Sequence, residues 1–296
     1  MSEDVVGKEF QVLDHGHVVL VDYMGSDEAI LQAARTSYQK GTKQTSDDRT
    51  LLRYLMRHSH TSPFECCTVK LHVKLPIFVE RQWARHRTAG WNEVSARYSE
   101  LPEEYYVPED DSVQMQSKTN KQGREEQVGQ AEVDVFKTQI GHVCGEAFTA
   151  YRMALGYGVA RELSRCVLPV NVYTEKVWWI NLHNLLHFLS LRMDSHAQKE
   201  IRDYATIIGE QIVAKLFPLV WEAFNDYDFR RGGLLLSALD VEVIQTYLEA
   251  FREHGITQED FFRPGTNVWL PEDWQSARCR ERDECIGKLK RLGIVR

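Results

Sequence analysis

The densest run of chemically capable residues is Arg81–Tyr98, R-Q-W-A-R-H-R-T-A-G-W-N-E-V-S-A-R-Y. Arg81, Arg85, Arg87 and Arg97 supply guanidinium groups, with Gln82, Asn92, Glu93 and Ser95 between them. Helical spacing puts Arg85 on one face with Arg81, four residues back, and with Gln82, three back. Arginine grips phosphate oxygens through a planar fork, so the cluster suits a phosphorylated ligand. A solvated basic face, or ion pairs to nearby acids, is the other reading of the same residues. A second cluster, His58-Ser-His60-Thr-Ser62-Pro-Phe-Glu65, contains HxH, but no third metal ligand follows at useful spacing. In a third, NLHNLLHFLSLR at Asn181–Arg192, His183 and His187 share a helical face. Asn184 stands where a zinc-dependent HExxH enzyme carries its glutamate, so no metal is expected. Two histidines lining a cleft, or simply hydrogen-bonded, fit better. The fourth, RELSRCVLP at Arg161–Pro169, ends a helix at Arg165, a cation placed either for the helix dipole or for a ligand. No phosphate-binding P-loop and no GxGxxG turn is present.

These clusters need elements to hold them. His17–Asp22 reads as a strand, and Asp27–Tyr38 and Asp48–His58 read as helices, the second with an apolar stripe. Thr68–Leu75 alternates apolar and polar residues, a half-buried strand, and Pro76 opens a helix through IFVERQWARHR. Leu101 to about Gln130 is a polar surface excursion, and a long helix follows from about Glu132 to Leu155. A short helix then runs to Arg165, followed by a strand at Val172–Ile180 and a helix at Leu182–Met193. Ser195 can cap an amphipathic helix that runs to about Leu216. The pattern predicts an α/β fold, a single core domain of mixed sheet with long helices over residues 1–228. Residues 229–296 form a C-terminal extension with no motif.

Composition bounds the rest. The chain has 296 residues, 43% hydrophobic and 27% charged, as ordinary globular proteins do. A net charge of −7 argues against non-specific nucleic-acid binding, though it leaves room for a local basic pocket. No apolar run approaches the ~18–20 residues that span a bilayer, so no membrane association is expected. The opening MSEDVVGKEF is polar and acidic, and the cytoplasm is the expected compartment. The six cysteines form no CxxC pair, so reduced thiols are expected.

Together and in this order, the clusters resemble one family. Arg85-His-Arg-Thr-Ala-Gly-Trp-Asn-Glu-Val-Ser-Ala-Arg-Tyr98 resembles RHRxxSxNExSxRY, the signature of flavin-dependent thymidylate synthases. HTSPFE at His60–Glu65 is similar to that family's HxSPFEH, and SRCVLP, NLHNLLHFLSLR and DSHAQ also look like family segments. Two positions depart. Gly90 replaces the signature's first serine, which removes a hydroxyl and loosens the backbone, and Cys66 replaces the last histidine of HxSPFEH.

The resemblance implies a homotetramer with active sites at subunit interfaces. It also implies FAD as cofactor, dUMP as substrate, and NADPH and methylene-tetrahydrofolate as co-substrates. Ser62, Arg85, His86, Arg87, Glu93, Asn181, His183 and His187 would then contact FAD. Gln82, Arg85, Glu93, Ser95, Arg97, Arg165 and Arg192 would contact dUMP, and His60 would line the folate side of the flavin. Arg192 is the expected catalytic residue, because a cation at N3 and O2 of uracil favours the N3-deprotonated ring and so a more nucleophilic C5. No cysteine nucleophile is needed. The competing expectations are a non-catalytic nucleotide- or RNA-binding module and another flavin-dependent pyrimidine nucleotide methyltransferase.

Overall fold

A computed structural model describes residues 4–36, 47–118, 123–228, 236–255 and 280–291. The chain divides into two compact units, Met1–Phe229 and Arg230–Arg296. The first is built on a five-stranded sheet. Its strands are β1 (Glu9–Val12), β2 (Gly16–Met24), β3 (Thr68–Pro76), β4 (Gly90–Glu93) and, after a small hairpin of β5 (Gln114–Gln116) and β6 (Arg124–Gln127), β7 (Tyr173–Asn181). The spatial order is β1-β2-β3-β7-β4. The expected mixed sheet is therefore corrected: all four strand pairings are antiparallel. β7 enters between β3 and β4 and runs opposite to both, which leaves no parallel neighbour.

Alternation along the strands gives the sheet one apolar face. Val18, Leu20, Val69, Leu71, Val73, Leu75, Trp178 and Ile180 are buried on it, while Val21, Lys70 and Trp179 on the other face are exposed. The buried face is covered by α1 (Asp27–Arg35), α2 (Asp48–Arg57), α3 (Ser62–Glu65), α4 (Ile77–Trp83), and, beyond α5 (Gln130–Gly156) and α6 (Arg161–Ser164), by α7 (Leu182–Arg192) and α8 (Lys199–Ile207). A helix at Pro218–Tyr227 packs on α2, and the buried Asp27 accepts the backbone N–H groups of Leu219 and Val220 at its start. A carboxylate at a helix N-terminus satisfies donors that have no partner within the helix, which accounts for an acid in the core.

Three expectations change. The helix after Pro76 ends at Trp83, so Arg85 shares no helical face with Arg81 or Gln82. The N–H groups of Arg85 and His86 bond the carbonyls of Gln82 and Trp83 in a tighter turn that leads to β4. The polar excursion contains the β5–β6 hairpin. Ser195 caps no helix; α8 begins at Lys199, and the carbonyl of Ser195 accepts from Arg202 at 2.7 Å. Residues 37–46, including Tyr38 at the end of the first expected helix, lie outside the described residues.

In the second unit the described helices are Ala238–His254 and Arg280–Arg291. The buried Asp240 joins them, accepting from Ser237 and from Lys288, 2.5 Å away. Burial pushes its carboxyl up, but the bonds from Lys288 and Ser237 outweigh this and hold it down to about 2. Among the described residues, no helix is long and apolar enough to cross a membrane.

Candidate active site

Three local features position the expected residues, with the β3–α4 and β7–α7 junctions at opposite ends of the sheet. Pro76 closes β3 and starts α4 without a loop, its φ of −65° serving strand and helix alike. This carries α4 back across the buried face of the sheet, where Trp83 meets Trp178 of β7, and brings Gln82 and then Arg85-His86-Arg87 toward β4. β7 likewise passes directly into α7, where Asn181 is the N-cap and its Oδ1 accepts from the N–H of Asn184 at 2.9 Å. His183, His187 and Arg192 follow along α7. α3, which begins at Ser62, packs against α7.

At the centre, Arg192 Nε–H donates to His86 Nε2 at 2.9 Å, and Arg192 Nη2 reaches the carbonyl of Gln82 at 3.5 Å. The His86 ring stands edge-on to Phe188, with centroids 4.8 Å apart. Burial first, then the charge of Arg192 and the nearby His187, push His86 down to about 4. His86 is therefore neutral near pH 7. Because its Nε2 accepts, its proton sits on Nδ1. Arg192 is half-buried, meets no carboxylate among the described residues, and is shifted below the ordinary guanidinium value by burial alone. Guanidinium groups stay charged at physiological pH, so this is an uncompensated cation.

A second group lies at and beyond the end of β4. Glu93, the last residue of β4, accepts from the Thr174 hydroxyl at 2.7 Å. Ser95 Oγ accepts from the N–H of Arg97 in the turn that follows. Arg97 pairs with Glu162 on α6 at 3.1 Å, which brings it to the segment that carries Arg165. Arg85, Arg87 and Arg165 are exposed and form no ion pair among the described residues. His60 is exposed, its ring perpendicular to that of Tyr54 at 5.7 Å.

Sequence reasoning missed several supporting residues. Gln82 donates to Gln198, which donates to Glu200 at 2.7 Å. Arg124 grips Glu200 through bonds of 2.6 and 2.7 Å, and the Tyr106 hydroxyl adds another at 3.1 Å. The polar excursion is thus wired to Gln82; only DSHAQ, which ends in Gln198, hinted at this. A cavity of about 660 Å³ beside this network, walled by Phe136, Ile140 and Val143, is lined by none of the expected site residues. Of those residues, Arg85, Arg87, Arg97 and Arg165 are exposed, while Gln82, His86 and Arg192 are half-buried. Beneath them, Lys176 of β7 pairs with Glu80 of α4, both buried, and its ammonium lies 4.5 Å from the Trp83 ring centroid.

The model of the family described as thymidylate synthase complementing protein matches residues 19–219, most of this unit. A flavin-dependent thymidylate synthase from Ehrlichia ruminantium (strain Gardel) is 52% identical over 239 residues, 81% of this chain and 80% of that protein. The chain belongs to the flavin-dependent thymidylate synthase family. Another member, from Ruegeria pomeroyi, is 48% identical over 281 residues, covering 94% of this chain and 87% of its own length. That match extends well past residue 228, so residues of the C-terminal unit are shared with at least one relative. Among solved structures, the UMP/dUMP methylase PolB from Streptomyces cacaoi, bound with 5-Br UMP, matches with a TM-score of 0.67 and 35% identity. It covers 74% of this chain and 97% of its own.

Proposed function

We propose that this chain converts dUMP to dTMP, with methylene-tetrahydrofolate as carbon donor and with FAD, reduced by NADPH, as cofactor. The observation that carries the reading is the set of guanidinium groups that meet no carboxylate among the described residues, at Arg85, Arg87, Arg165 and the half-buried Arg192, on a chain of net charge −7. Arginines without acidic partners fit the phosphates of a dinucleotide and a nucleotide.

Arg85, Arg87 and Ser62, with His183 and His187, would hold the flavin dinucleotide. The flavin, when bound, supplies the hydride and one-carbon chemistry. Arg97 and Arg165 would take the dUMP phosphate. The Arg97–Glu162 pair is more than half exposed, and such pairs are worth only about 0–1 kcal/mol, so a dianion displaces Glu162 at little cost. Gln82, held by Gln198, and Glu93, held by Thr174, would orient the pyrimidine. Arg192 would face N3 and O2 of uracil, lower the N3 pKa and so raise electron density at C5. His86 steadies Arg192 without competing for its charge, because it accepts as a neutral ring. The exposure of Ser62, Arg85, Arg87 and Arg165 supports a site that a second copy completes, within a homotetramer.

A second reading, in which UMP is also methylated, is favoured by the likeness to PolB, a UMP/dUMP methylase. Turnover of dUMP and UMP, read as nucleoside products by chromatography, decides between them. Product from dUMP supports the proposal, and product from neither overturns it.

A further inference from the structure

Gly90 stands where the family signature has serine, and backbone freedom does not explain it. The residue lies in strand β4, outside the left-handed region that favours glycine. Space explains it. Gly90 pairs across the strands with Trp179, and a Cβ at position 90 would stand 2.4 Å from Cε2 and Nε1 of that indole and 2.5 Å from Cζ2. Such approaches are far inside van der Waals contact. The indole therefore occupies the volume that a side chain at position 90 would take.

The location gives the contact its consequence. β4 is a four-residue edge strand held only by β7. It spans the two halves of the site, since Arg85–Arg87 lead into it and Glu93 ends it, with Ser95 and Arg97 just beyond. Glycine weakens a strand, and an aromatic ring packed across it from the neighbouring strand restores what the missing side chain would have contributed. We propose that Trp179 is a positioning residue that substitutes for the side chain at position 90, holding β4 against β7 so that the two groups of binding residues keep their spacing. The proposal rests on the functional reading above for its site, and on the Gly90–Trp179 contact for its mechanism.

It implies an exchange. Gly90→Ser alone sets the hydroxymethyl group against the indole. Trp179 is 42% exposed and borders a recess of about 400 Å³ with Asp22, Lys70 and Thr68, so its ring can swing aside and the variant still fold, with β4 displaced. Trp179→Thr alone leaves β4 uncovered. The double variant puts the side chain back on β4 and removes the obstruction.

The test compares wild type, both single variants and the double variant as FAD-loaded proteins, measuring flavin Kd, dUMP KM and kcat, and the thermal midpoint. Gly90→Ser should weaken flavin and dUMP binding about tenfold and Trp179→Thr about threefold, with the double variant back within about threefold of wild type. Recovery in Kd and KM is the signature; a merely structural pair would move the thermal midpoint and leave both unchanged. A double variant no better than Gly90→Ser, or failing to fold, overturns the proposal, as does a Gly90→Ser protein indistinguishable from wild type. If wild type binds FAD but makes no dTMP, the functional reading falls, while the cycle in flavin Kd still decides the pair. If it binds no FAD, absence of coupling between the two substitutions in the thermal midpoint refutes the contact itself.

Discussion

Replacing Lys176 with methionine isolates the ion pair on which the site is seated. Lys176 and Glu80 are 2% and 5% exposed, joining β7 to α4 between the strand that carries Glu93's partner Thr174 and the helix that carries Gln82. Burial lowers the Lys176 pKa and raises that of Glu80, each offset in part by the other's charge. Methionine keeps the apolar stem and removes the ammonium, leaving a buried carboxylate unpaired. Breaking one side of a buried pair costs about 3–5 kcal/mol. At roughly 2–4 °C per kcal/mol for a domain of this size, the midpoint falls by roughly 6–20 °C. The pH dependence follows from the sign of the Glu80 shift. A carboxyl whose folded pKa is raised holds its proton more tightly when folded. Its contribution is therefore intact below the unfolded pKa and lost as pH rises toward the folded one. The Lys176→Met penalty should be smaller near about pH 5 than near about pH 8. Calorimetry at both pH values, with Glu80→Leu/Lys176→Met alongside, is the assay. Removing both charges should restore most of the loss, since well-packed apolar replacements of buried pairs are often neutral. A single variant within about 1 kcal/mol of wild type, or a double variant as unstable as the single, refutes the reasoning.

Three further outcomes follow from the site. Arg192→Lys keeps the charge but loses the planar fork, so kcat for dTMP should fall by roughly a hundredfold in a folded, flavin-loaded protein; undiminished turnover would contradict its placement. Labelled-histidine NMR should find His86 with its proton on Nδ1 and titrating at about 4. The unfolded chain then binds the proton first, so this residue's contribution to stability declines as pH falls from the ordinary histidine value toward 4; titration near that ordinary value would contradict the Arg192 bond. Ser95→Ala should leave measurable dTMP synthesis, because Ser95 Oγ accepts from the N–H of Arg97 and has no histidine base; complete loss in a folded, flavin-loaded variant points to a nucleophile instead.

Much of this was legible in residue order, for identifiable reasons. Thr68–Leu75 shows its two faces through apolar–polar alternation, and the strand expected at Val172–Ile180 and the helix expected at Leu182–Met193 fall within a residue or so of β7 and α7. The end of α4 was not legible: nothing in Q-W-A-R-H-R stops a helix locally, and the turn is fixed by β4 pairing with a strand more than 80 residues away. Glu80 and Lys176 are separated by 96 residues and belong to no motif, so their pairing emerges only when β7 lies against α4. Gly90 read as a loosening of the backbone because its neighbour in space, Trp179, is remote in sequence. The antiparallel sheet was missed for the same reason, since strand order depends on where β7 enters.

The central claim is a flavin site coupled to a nucleotide site. An anaerobic visible spectrum of the purified protein, titrated with NADPH in the presence and absence of dUMP, addresses it directly. The account predicts an oxidised-flavin spectrum that bleaches at a rate responsive to dUMP. A protein that stays colourless after addition of FAD, or whose flavin reduction ignores dUMP, would contradict it.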